Sequence, residues 1–169
     1  MRIARPDDGY TLIEVMTAIS LGAILMAVST WSFVRYNRAT SQSGTAIELR
    51  SLFRNVGERA LSEGRTYCVY INDGSDSWST YKSDCTVAAN KVDGPKKPDN
   101  GTVAITSVSF GVAAPAIANQ TRACPVANAC AYFYPRGNAL AGTVSVTRSG
   151  TSKTYTISIE GLTARVSMV

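Results

Sequence analysis

The sequence has 169 residues, of which 45% are hydrophobic, and a net charge of +5 from 17 Lys and Arg against 12 Asp and Glu. That is one domain's worth of chain, too apolar to be disordered and too polar for several membrane spans. It contains no histidine, which excludes Ser–His–Asp hydrolysis, Cys–His proteolysis and the usual zinc hydrolase sites.

The longest apolar run comes first. From Tyr10 to Val34 the chain carries a single charge, Glu14, and no proline. As a helix this run is about 38 Å long, sufficient for a bilayer core of about 30 Å. Arg35 and Arg38 follow it, and Trp31 and Phe33 lie at that end as interfacial anchors would. The far end is bulky and lacks the small-residue spacing of a signal-peptidase site, so the helix is expected to be retained. Glu14 is costly inside a membrane and is a functional candidate by default. The alternative is a side chain one turn from the helix start that reaches the headgroups.

The stretch Gly9-Tyr10-Thr11-Leu12-Ile13-Glu14, after the short charged leader of residues 1–9, resembles the type IV prepilin processing site. The family pattern has a glycine, an aromatic residue (usually Phe, here Tyr10), three small or apolar residues and a glutamate. The resemblance implies cleavage between Gly9 and Tyr10 by a membrane aspartyl prepilin peptidase, followed by methylation of the new amine. It also implies that Glu14 pairs with the Tyr10 amine of a neighbouring subunit. A carboxylate buried in a filament core needs such a partner, and the pair would set the axial register.

From Ala46 onward the pattern is amphipathic: Leu49, Leu52, Phe53, Val56 and Ala60 form one helical stripe, with Glu48, Arg50, Arg54, Glu58 and Arg59 on the remaining surface. Gly44 and the weak helix formers at residues 40–45 predict a kink or loosened turn. Gly64 predicts the end of the helix.

Beyond Gly64 the period changes to two. Strands are expected at Thr66–Asn72, Trp78–Cys85, Thr102–Val112, Ala131–Tyr134, Gly142–Arg148 and Lys153–Glu160. Turns fall at Asn72-Asp73-Gly74 and Ser149-Gly150-Thr151, and Ala89–Gly101 reads as a solvated loop. Asn72, Asp73 and Asp76 offer oxygens but lack the EF-hand order, so a plain hairpin turn is expected rather than a calcium site. The organisation is therefore a leader (1–9), a transmembrane or filament-core helix (10–34), its amphipathic continuation (35–64) and a mostly antiparallel β-sheet domain (65–169). This organisation resembles the α+β ground plan of the pilin family, a long N-terminal helix packed on a mostly antiparallel sheet. Phe133-x-Pro135-x-Gly137-Asn138, Gly142-Thr143-Val144, the final hairpin into Gly161–Val166, and Glu58 to Glu63 look like the minor pseudopilins and minor pilins of the GspH and FimT group.

Cys68, Cys85, Cys124 and Cys130 lie on the side that single-span topology places outside the cytoplasm, where disulfides form. Three pairings are open. The favoured one joins Cys68 to Cys85 across the first hairpin and Cys124 to Cys130 around a small loop. A zinc site is the rival, with neither C-x-x-C nor histidine to support it.

Arg122, Arg136, Arg148, Lys153 and Arg165 fall late in the sequence, and positive charge attracts DNA. Some FimT-type pilins bind DNA through a Gly-Arg-x-Arg motif. Here Ala164-Arg165-Val166-Ser167 matches it with one arginine, so a solvated basic surface is the plainer expectation.

The expected function is that of a structural subunit with no catalytic centre and no cofactor. It would sit in the inner or cytoplasmic membrane and then join a type IV pilus or a type II secretion pseudopilus. The implied partners are prepilin peptidase, other pilin or pseudopilin subunits and the inner-membrane assembly platform. The alternatives are a DNA-binding competence pilin and a membrane-anchored extracytoplasmic domain.

Overall fold

The computed structural model describes residues 10–111 and 124–169. The leader with Gly9, the strand end at Val112, and Arg122 lie outside them. Helix α1 (Leu12–Ser62) is a single α-helix of 51 residues. Thr11 caps it: the Glu14 amide donates to the Thr11 side-chain oxygen at 3.3 Å, which satisfies one of the donors left free at a helix start. At the other end Gly64 has φ +61°, Gly64 N–H donates to Leu61 O and Arg65 N–H to Ala60 O. That pair of bonds is a Schellman cap, and the left-handed backbone it needs is why glycine stands there.

The chain divides into two compact units between Asn37 and Arg38. In the first, the apolar side chains of α1 are exposed, and the helix is long and apolar enough to cross a membrane. Its hydroxyls are turned inward. Ser20, Ser29 and Thr30 each donate at 2.8 Å to the carbonyl four residues back, so these three hydroxyl donors do not burden an apolar setting. The Arg35 guanidinium lies over the Trp31 ring at 4.6 Å.

In the second unit, α1 meets two antiparallel four-stranded sheets. One has the order β3-β2-β1-β5 and the other β4-β6-β7-β8. The strands are β1 (Tyr67–Asn72), β2 (Ser77–Lys82), β3 (Lys91–Lys96), β4 (Val103–Phe110), β5 (Cys130–Phe133), β6 (Gly142–Arg148), β7 (Tyr155–Ile159) and β8 (Val166–Met168). Helix residues Ala46, Leu49, Phe53, Val56 and Ala60 are buried at helical spacing and form a single core with side chains from both sheets. Phe53 is the junction. Its ring lies 6.3 Å from Phe110 of β4, edge-on, and 6.1 Å from Phe133 of β5.

Three expectations are corrected. The loosened turn at residues 40–45 does not occur: every residue there is helical. Gln42 anchors that turn, its side-chain amide donating to Lys153 O at 2.7 Å and Val146 O at 3.2 Å, and tertiary contact of this kind overrides weak local propensity. The segment Ala89–Gly101 is not wholly loop, because it contains β3. β3 is an edge strand with mostly exposed side chains, so no hydrophobic alternation marks it, and its lysines and proline suit an unpaired edge. The second expected strand ends at Lys82 rather than Cys85, because Ser83 turns the chain with φ +76°. The oxygens of the first hairpin also have a structural use: Asp76 Oδ1 accepts the Ile105 amide at 2.7 Å and ties that turn to β4.

Candidate functional site

The first candidate is the helix start. Tyr10 is exposed, and Glu14 is the third residue of α1 and exposed. Thr11 and Glu14 have the spacing of a capping box, and a carboxylate in the first turn faces the positive end of the helix dipole. Among the described residues Glu14 has no ion-pair partner. It is therefore a local helix-start group with its charge still available, a role the Thr-x-x-Glu spacing already signals.

The cysteines form the second cluster. Cys68 is bonded to Cys85 and Cys124 to Cys130. Residues alternate across β1, so Tyr67, Val69 and Ile71 face α1 while Cys68 and Tyr70 face the other way. That outer face is covered by the two disulfides with Tyr81, Tyr132 and Tyr134, the last two rings stacked 6.5 Å apart. The sulfurs of Cys68, Cys85 and Cys130 all lie within 4.8 Å of one another. All are held in disulfides, not available as thiolate ligands.

At the C-terminal end of α1, Glu63 accepts from Tyr67 Oη at 2.5 Å and pairs with Arg59 at 3.3 Å and Lys82 at 3.4 Å. The Tyr67 hydrogen bond, with the two cations behind it, holds the Glu63 carboxyl below its ordinary range. Burial, and then the Glu63 acceptor, push the Tyr67 hydroxyl above its own. This cluster fastens the helix end to the first hairpin. Nearby, Asp93 and Lys96 of β3 pair at 2.7 Å.

The basic residues do not form one patch. Arg148 and Lys153 flank the β6–β7 turn, where Gln42 reaches the Lys153 carbonyl, and the Lys153 ammonium lies 4.8 Å from the Tyr155 ring centre. Arg165, just before β8, lines a groove with Leu61 of α1 and Gly137, and Arg136 is the exposed neighbour of that glycine. Gln42 and Leu61 are 19 residues apart on α1, about 28 Å along the axis. The same groove brings Arg50 and Arg54 to Arg165. In sequence those two fall on the solvent face of the helix, and their spacing of four is the one signal that they act together.

The two sheets and their helix define a pilin fold. Residues 5–30 match the family model described as a prokaryotic N-terminal methylation motif. Among solved structures, the minor pseudopilin EpsH from the type 2 secretion system of Vibrio cholerae is similar at 9% identity, with a TM-score of 0.53, covering 76% of this chain and 96% of that one. The type IV minor pilin FimU of Pseudomonas aeruginosa is similar at 13% identity, with a TM-score of 0.52, covering 79% of this chain and 92% of that one. No curated protein matches by sequence.

Proposed function

We propose that this chain is a minor pilin or pseudopilin, a non-enzymatic subunit that takes part in initiating or tipping a type IV pilus or type II secretion pseudopilus. One observation carries the reading: residues 12–30 of the methylation motif lie on the same helix whose later turns are built into the sheet domain. A helix that is exposed and apolar at one end and packed at the other suits a subunit that is first membrane-anchored and then stacked in a filament. In this reading prepilin peptidase cuts between Gly9 and Tyr10, the new amine is methylated, and the sheet domain lies outside the cytoplasm. The assembly platform then inserts the subunit among other pilins, where the Glu14 carboxylate meets a neighbouring subunit's Tyr10 amine.

The test is the mature N-terminus together with filament incorporation. Mass spectrometry is expected to find a chain starting at a methylated Tyr10, and Glu14→Ala is expected to be cleaved but poorly incorporated. An intact leader in cells with active peptidase overturns the proposal. So does a Glu14→Ala chain that assembles like wild type, for the register role of Glu14.

A further inference from the structure

Arg50 and Arg54 stand one turn apart on α1, and Arg165 faces them across a groove of about 420 Å³. The ion pairs among the described residues are Arg59–Glu63, Lys82–Glu63 and Lys96–Asp93, so these three guanidinium groups have none. The Nε of Arg50 is, in addition, buried without a hydrogen-bond partner. A buried donor left without an acceptor is costly. Three arginines lining one groove suit carboxylate oxygens, which a guanidinium fork binds two at a time.

We infer that this groove receives a carboxylate-bearing segment of a different filament subunit; the inference rests on the assembly reading proposed above. The lining of the groove selects that occupant. Leu61 adds exposed apolar surface to the lining, and Glu58 adds one carboxylate. A phosphodiester strand, charged at every residue and without apolar side chains, would leave the apolar surface uncovered. An acidic peptide segment with an apolar side chain between its carboxylates fills both the cationic and the apolar parts. A second copy of this chain is a poor occupant, since each copy carries a net charge of +5 and like-charged surfaces disfavour contact.

The experiment uses the full chain in its own membrane, expressed with its assembly partners. A photoreactive amino acid replaces Thr163, which lines the groove and is exposed. The expected adduct is to an Asp- or Glu-rich segment of another subunit that carries its own methylation motif. Arg54→Glu combined with Arg165→Glu is expected to reduce the adduct by about tenfold or more, and lysines in place of the partner's carboxylates to restore it. Retention of both disulfides on non-reducing gels shows that the variant has folded. An undiminished adduct in the double variant, an adduct to a second copy, a nuclease-sensitive adduct, or no adduct from a processed and assembled chain each overturns the groove's assignment alone. A chain that is neither processed nor assembled overturns the assembly reading beneath it.

Discussion

The side-chain amide of Gln42 donates to the Lys153 carbonyl at 2.7 Å, across 111 residues of sequence. The same nitrogen reaches Val146 O, so one buried helix residue binds both β6 and the segment that leads into β7. Replacing Gln42 by Leu leaves two carbonyl oxygens without this donor, and a loss of about 1–3 kcal/mol is expected in chemical denaturation. Gln42→Glu is expected to be worse at neutral pH, because a carboxylate would face two carbonyls with no proton to donate. Part of that extra loss should return as the pH falls and the new carboxyl regains a proton. A Glu variant no less stable than the Leu variant at neutral pH would contradict this account.

The Glu63 cluster sets a direction for acid stability. The Glu63 carboxyl is held below its ordinary range, so its contribution is fully present above the unfolded-state value and lost as pH falls through the folded one. Tyr67→Phe removes the largest cause of the shift. The Glu63 titration, followed by carbon NMR, is expected to move up toward the ordinary range, and the acid-side loss of stability to become shallower. The Tyr67 hydroxyl is raised by burial, so its contribution is present below the unfolded tyrosine value and lost as pH rises through the folded one. The Phe variant should lack that alkaline loss as well.

What the sequence made legible follows from which forces are local. The stripe Leu49, Phe53, Val56 and Ala60 announces a buried helix face because its spacing and its burial have a single cause. β6 keeps its expected bounds, Gly142–Arg148, because it is central in its sheet and packs Val144 and Val146 inward. β3 escapes the same logic. Its edge position demands only backbone pairing with β2, and Lys91, Asp93 and Lys96 give no periodic signal. The double-faced burial of β1 is likewise invisible until β5 pairs beside it and the disulfides cover Cys68 and Tyr70. The arginine groove is the extreme case: Arg165 is 111 residues from Arg54 in sequence, and only the packing of β7–β8 beside α1 brings them together.

The two disulfides should contribute unequally. Cys68 and Cys85 are separated by 17 residues and Cys124 and Cys130 by 6. Loop-closure entropy gives about 3 kcal/mol for the first and about 2 kcal/mol for the second. Cys68 is also completely buried in the tyrosine-lined cluster, so its bridge has packing to lose besides. Paired Cys→Ser variants compared by thermal melting are expected to fall in that order, Cys68/Cys85 costing more. Equal or reversed costs would mean that the short loop holds more of the domain together than its length implies.

Gly94 fixes the edge strand to its neighbour. Its φ is +98°, and a β-carbon there would lie 2.7 Å from Trp78 O and 2.8 Å from Ser79 Cα, both backbone atoms of β2. Gly94→Ala therefore meets a strained backbone and a collision that no side-chain rotation relieves. A cost of about 1–3 kcal/mol is expected for the strain alone. The β2–β3 register already shifts between Trp78 and Tyr81, so the local response should be release of β3 rather than distortion of β2. β2 is held on its other side by six paired positions with β1. Hydrogen exchange should then accelerate at the β3 amides and at the β2 amides facing them, while the β1–β2 ladder stays protected. Acceleration spread evenly across both ladders would show instead that β3 is integral to the sheet, and that Gly94 supports the whole hairpin rather than its edge.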